Sequence, residues 1–300
     1  MILPLTMFIK KYQSYLKNER RYSFFTTRSY LIDLNQFFNY LGFNSDNFHS
    51  IKSADVRDWI IHLKDKNLSA KTINRKISSL KSFFNFCEIE LSLDNNPAQK
   101  IRSLKEEKRL PSVVSESSLK LLFESPDTFE QSFNGLRDKF IIDLLYQSGL
   151  RLSELINLEI DNFDKKNKFI KILGKRNKER IIPITDCLIK LFQSYIQERS
   201  KIQMHPDAQS YLFVTKKGKK TYPKMIYRIV NFYLSKFSSL NKTSPHVLRH
   251  AFATHLLNNG ADLNVIKKIL GHSSLMSTQV YTHVSSEKIK KVYSSTHPRG

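Results

Sequence analysis

Near its C-terminal end the sequence reads "HVLRHAFATHLLNNG" (246–260), which sets His246, Arg249 and His250 on consecutive turns of one expected helix. "LGHSSLMSTQVYTHV" (270–284) then adds His272 and Tyr281. These groups admit three chemistries: metal ligation, a packed core with satisfied histidines, or work on a phosphate. The four-residue spacing of His246 and His250 puts both rings on one helix face, as a metal site needs. Arg249 argues against it, because a permanent cation would sit beside the ion. No Asp, Glu or Cys accompanies His255 or His272 at ligand spacing either. No metal is therefore expected. A phosphate asks instead for cations and N–H donors, which Arg249 and the imidazoles supply.

The rest of the chain favours phosphate. Lys plus Arg number 49 against 27 Asp plus Glu, a net charge of +22 over 300 residues. Such an excess attracts polyanions, nucleic acid foremost. A basic membrane-surface protein would carry a basic amphipathic segment or a lipidation signal, and the sequence has neither. No apolar run approaches the ~20 residues of a membrane span. The opening "MILPLTMFIKK" lacks the flanks of a signal peptide. Cys87 and Cys187 stand far apart, which excludes a disulfide framework and a Cys-based zinc site. A cytoplasmic protein without a membrane partner is expected.

Helices must position these groups. Tyr30, Leu34, Phe37, Phe38 and Leu41 recur at helical spacing, as do Val56, Trp59, Ile60 and Leu63 behind an expected N-cap at Ser53. A third helix opens at Ser69 and aligns Ile73, Ile77, Leu80, Phe84 and Cys87. Its opposite face carries Lys71, Arg75, Lys76 and Lys81, which in a chain this basic reads as a phosphate-contacting face. The proline-bracketed, charged stretch "DNNPAQKIRSLKEEKRLPSVVS" reads as a linker. The expected division is thus a helical domain over 1–95, a linker over 96–112 and a second domain over 113–300. That second domain opens with helices around "ESSLKLLFES" and "RDKFIIDLLYQSG". "FIKIL" (169–173) and "RIIPI" (180–184) then predict a hairpin, with "YLFV" (211–214) as a third short strand. From Pro223 onward the pattern is helical again.

"YQSGLRLSELINL" places Arg151 at a helix start, where its fork of donors suits two phosphate oxygens or, more simply, a salt bridge to Glu154. "LGKRNKER" presents Lys175, Arg176, Lys178 and Arg180 on a basic hairpin tip. Spacing alone does not choose between Lys175 and Lys178. Taken together, "SGLRLSEL", "GKRNKERIIPI", "HVLRHAFATHLLNNGADLNVIKKILGH" and "STQVYTHV" resemble the tyrosine recombinases of the phage integrase family, and the closing "KKVYSSTHPRG" resembles their Xer branch. The four boxes stand in the family's order over most of the chain. Departures are slight: Ser148 replaces a common threonine, and Lys267–Lys268 a more neutral pair.

The resemblance implies a mainly α, two-domain DNA clamp. A helical N-terminal core-binding (SAM-like) domain would face a mainly α catalytic domain with a small antiparallel β-sheet. It implies Tyr281 as nucleophile and Arg151 and Arg249 on the scissile phosphate. Lys175 would protonate the leaving 5′-oxygen, with His246 and His272 completing the pocket and no cofactor. His250 would support the pocket, while His255 and His283 read as packing. Implied partners are a double-stranded DNA recombination site and further recombinase protomers, four on two synapsed sites. A paralogous recombinase and the septal DNA translocase could join them, in resolving chromosome dimers at cell division. The tail "SSEKIKKVYSSTHPRG" puts Ile289, Val292 and Tyr293 on a small apolar face, which in the family packs into a neighbouring protomer. An integrase of a phage or mobile element shares the boxes, a type IB topoisomerase shares the chemistry, and a non-catalytic DNA-binding protein would keep only the basic surface.

Overall fold

The structure is a computed structural model that describes residues 5–42, 50–91, 96–106, 113–174, 179–238, 240, 243–271, 293 and 295–299. The chain divides into two compact units, Met1–Arg109 and Leu110–Gly300. Each has its own hydrophobic core.

The first unit is built from α1 (Leu5–Asn18), α2 (Phe24–Tyr40), α3 (Ser53–Asp65) and α4 (Ala70–Leu91). The apolar spacing read from the sequence faces inward: Leu34, Phe37, Val56, Trp59, Ile73, Ile77, Leu80, Phe84 and Cys87 are all buried. Ser69 caps α4, its hydroxyl accepting from the Thr72 amide at 3.3 Å. At α3 the N-cap is Lys52, while Ser53 sits inside the helix and donates to the Pro97 carbonyl at 2.8 Å.

The basic face expected on α4 is corrected at Lys76, while Lys71 and Arg75 remain exposed. Lys76 is only 4% exposed and its Nζ lies 2.9 Å from Asp33 of α2; Arg75 pairs with the same carboxylate. Asp33 is fully buried, and a buried carboxylate needs counter-charge. Two of the four cations therefore hold α2 to α4. The stretch read as a linker is folded through residue 106: Ala98 and Ile101 enter the core, and Asn74 brackets Leu104 through its carbonyl and amide at 2.9 and 2.7 Å.

The second unit is organised around α6 (Phe133–Ser148), which is buried on nearly every side. Its buried residues include the polar Arg137, Asp143 and Gln147 as well as Phe140, Ile141, Leu144 and Leu145. Around it run α5 (Glu116–Glu124), α7 (Leu152–Ile156), α8 (Asp186–Arg199), α9 (Pro223–Phe237), α10 (Pro245–Asn258) and α11 (Leu263–Leu270). The sheet has three antiparallel strands in sequence order: β1 (Phe163–Asp164), β2 (Phe169–Leu173) and β3 (Glu179–Pro183). The β2–β3 hairpin pairs Ile172 with Arg180 and Ile170 with Ile182. The third strand is β1 rather than 211–214, whose Tyr211 and Val214 form only isolated bridges.

α6 ends at Gly149, in the left-handed conformation with φ 58°. A Cβ there would meet Phe252 of α10 at 2.5 Å and Leu270 of α11 at 2.8 Å. Only a residue without one lets α6, α10 and α11 close to this distance. The last described residues lie against the chain's own second unit. Tyr293, 3% exposed, donates to the Gln147 carbonyl at 2.9 Å, and Arg299 pairs with buried Asp143 at 3.0 Å. Ile289 and Val292 lie outside the described residues.

Candidate active site

Arg151 is the N-cap of α7, and Glu154 on the first turn reaches back to accept its backbone N–H at 2.8 Å. The same carboxylate takes Arg151 Nη1 at 2.8 Å. The salt bridge read from the sequence is therefore present, but not on the surface: Glu154 is 7% exposed. From the other side Arg180 of β3 grips Glu154 with Nη1 at 3.0 Å and Nη2 at 2.8 Å. Burial alone would raise the Glu154 carboxyl, yet the hydrogen bonds from Arg180 and Arg151 hold it below the ordinary carboxylate range.

Arg249 sits on α10, one turn beyond exposed His246. Its guanidinium donates to the Gly149 carbonyl and, at 2.8 Å, to that of Leu270. Arg151 Nη2 reaches the next carbonyl, Gly271, at 2.9 Å, and Arg180 Nε the preceding one, Ile269, at 2.7 Å. Three arginines thus take three consecutive carbonyls at the end of α11. A helix C-terminus exposes its last carbonyls and the negative end of its dipole, so it draws cations. Gly271 caps the helix in the left-handed conformation, φ 62°. Burial first, and then the like charge of Arg151, push the Arg249 guanidinium down to about 10, with Glu154 acting in the opposite sense.

A guanidinium has five N–H bonds. Among the described residues, the Arg151 and Arg249 side chains commit two each, and both remain partly exposed. Two close cations that keep donors and solvent access are equipped for a tetrahedral anion. Lys175, His272 and Tyr281 lie outside the described residues, although Gly271 immediately precedes His272 in the sequence. His255 is placed as expected for packing: it is 5% exposed and pairs with Tyr146 Oη at 3.0 Å. Among the described residues no three His, Cys, Asp or Glu side chains gather as metal ligands. A cavity of about 790 Å³ between α6, α9 and the 215–220 turn includes none of Arg151, His246 or Arg249, so the arginine cluster lies outside it.

Sequence reasoning missed the roles of Glu154 and Arg180. The sequence reads Arg180 both as the first residue of the strand 180–184 and as part of the basic hairpin tip; it belongs to β3, with its side chain 11% exposed. Its partners are 26 and 89 residues away, beyond any local pattern. The usable signal was the strand itself, which sets Arg180 opposite Ile172 in the hairpin ladder rather than at the turn.

A mainly helical unit converges distant arginines on one helix end, a setting suited to an anion, and the comparisons with known proteins give the chain a family. Residues 113–288 match the phage integrase family and residues 9–90 its N-terminal SAM-like domain. The chain is 36% identical to tyrosine recombinase XerC of Pelotomaculum thermopropionicum, covering 97% of this chain and 98% of that one. It is also 36% identical to tyrosine recombinase XerD of Staphylococcus epidermidis, covering 97% and 98%. The fold is similar to that of XerH site-specific recombinase bound to a palindromic difH substrate. There the TM-score is 0.73 at 22% identity, over 95% of this chain and 84% of that one. The Tn1549 transposon integrase in complex with transposon right end DNA gives a TM-score of 0.69 at 22% identity, over 95% and 97%. The chain belongs to the phage integrase family. Within it, the chain is a tyrosine recombinase of the Xer type, an enzyme class that cleaves and rejoins DNA through a tyrosine nucleophile.

Proposed function

We propose that this recombinase cuts and rejoins DNA at a short recombination site with Tyr281 as nucleophile, and that it resolves chromosome dimers at cell division. The observation that carries the reading is the meeting of Arg151 and Arg249 on the carbonyls of Gly271 and Leu270, immediately before His272. The Tyr281 phenol gives its proton to water as its oxygen attacks phosphorus, a 3′-phosphotyrosyl bond forms, the P–O5′ bond breaks, and the 5′-oxygen leaves with a proton from Lys175. Charge grows on the non-bridging oxygens in the transition state, and fixed N–H donors from Arg151, Arg249, His246 and His272 stabilise it. Because the covalent bond conserves the energy of the phosphodiester, rejoining needs no nucleotide cofactor, and because the arginines and imidazoles stabilise the charge, cleavage needs no metal. The two units close on the duplex as a clamp, the first of them taking in Ala98 and Ile101 of the stretch 96–112. Four protomers act on two synapsed sites in the cytoplasm, with a paralogous recombinase and the septal translocase as further partners.

The test is covalent capture on a nicked duplex carrying the sequence that the protein itself selects from a random pool. Wild type is expected to form adducts in EDTA. Tyr281→Phe is expected to form none while binding the duplex nearly as well, since one phenol oxygen adds little to an interface dominated by phosphates. Adducts in that variant, or EDTA-sensitive cleavage restored by a divalent metal, would remove the assignment.

A further inference from the structure

We infer that Arg180 is a positioning residue for strand cleavage, fixing Glu154 against Arg151 and the end of α11 against both. The inference rests on the proposed reading of Arg151 and Arg249.

The side chains of Arg180 and Glu154 are 11% and 7% exposed, so neither is offered to DNA. Arg180 is engaged through all three of its nitrogens. Two of them clasp the Glu154 carboxylate as a fork, and Nε takes the Ile269 carbonyl. Glu154 Oε1 is shared between Arg180 and Arg151, at 3.0 and 2.8 Å. The carboxylate is thereby wedged between two guanidiniums and sets the plane of Arg151. Arg180 also packs against the left-handed turn: a Cβ on Gly271 would lie 3.2 Å from its Nη1. One buried side chain therefore ties β3, five residues after Lys175, to the α7 start that bears Arg151 and to the helix end that leads to His272. Catalytic groups tolerate little displacement, and a shift of about 1 Å can cost about 10²-fold in rate.

The groups facing Glu154 are Arg180 from β3, Arg151 from α7 and, more remotely, Arg249 from α10. With Arg180 removed, burial acts on Glu154 against less positive charge and its carboxyl moves up. The aligned state of Arg151 needs the carboxylate ionised. The variant should accordingly lose activity as pH falls across a range in which wild type is flat.

The experiment measures single-turnover adduct formation, duplex affinity and their pH dependence, using the full chain and the pool-selected nicked duplex. Arg180→Ala is expected to cleave about 10–100-fold more slowly, with affinity within about threefold. Its rate should fall further toward acid pH, and that acid limb should vanish in the Arg180→Ala/Glu154→Gln double variant. A wild-type rate, a deficit equal at every pH, or a rate loss matched by an equal loss of affinity would overturn the role. Should the alanine variant not fold, Arg180→Lys carries the test, because one nitrogen cannot replace the fork. It should be about 3–10-fold slow at unchanged affinity, and a wild-type rate there overturns the role equally. Tyr281→Phe assayed alongside separates the two ideas. Adducts in that variant overturn the parent reading, whereas their loss there with wild-type cleavage in Arg180→Ala overturns only the positioning role.

Discussion

Arg249 and Arg151 meet at one helix end, and like charges brought together there raise each other's cost. Burial first, and that like charge second, depress the Arg249 guanidinium to about 10. The sign is that of a cation whose folded pKa lies below its unfolded one. At every pH below about 10 the charged form detracts from stability, and the deficit is relieved only as pH climbs past that value. A bound anion relieves it at neutral pH by supplying the missing negative charge. Arg249→Ala should therefore slow adduct formation by about 10²-fold or more, as removal of a transition-state donor does. The same variant should gain less in melting temperature than wild type when chloride is replaced by sulfate at constant ionic strength. An equal gain in both proteins would mean that Arg249 does not face the anion.

At the scale of elements, the C-terminal segment completes the wall of α6. Asp143 is fully buried, and burial raises its carboxyl, with Arg299 as the first opposing influence. A carboxyl raised in the folded state costs stability once pH exceeds its ordinary range, and the loss of its counter-charge deepens that cost. Arg299→Ala is expected to destabilise the protein by about 1–3 kcal/mol at pH 8 and by less at pH 5, since burial favours the neutral Asp143 carboxyl and acid moves the group toward it. Thermal melts at the two pH values decide it, and a deficit that does not shrink in acid rules it out. The sequence was legible at this scale where a pattern is local. The face of α4 and the β2–β3 hairpin could both be read, because each depends on neighbours within a few residues. The cation on that helix facing Asp33 could not, because α4 gives no hint that Lys76 meets a carboxylate 43 residues earlier. Arg151, His246 and Arg249 stand out in the sequence as candidates by type, and the family resemblance supplies their roles. What orients them was not legible, since Glu154 and Arg180 meet only once the sheet packs on α7 and α11.

For the whole molecule, two units with separate cores and a net charge of +22 predict a strongly salt-dependent grip on DNA. A protein making 6–10 phosphate contacts loses about 10³–10⁵ in affinity between roughly 50 and 200 mM salt. The full chain should fall in that range, measured on its selected duplex. The isolated Leu110–Gly300 unit, which keeps its own core, should bind more weakly and with a shallower slope. Equal affinity and equal slope for the isolated unit would show that the helical unit contributes no phosphate contacts.

The shared end of α11 also sets a rule for transplanting this chemistry. Arg151, Arg180 and Arg249 come from α7, β3 and α10, yet each is anchored on one of three consecutive peptide oxygens. A designer who grafted only the reactive side chains onto another scaffold would leave those guanidiniums without the dock that aims them. The smallest portable piece is four segments meeting at Ile269, Leu270 and Gly271, with the glycine kept as glycine.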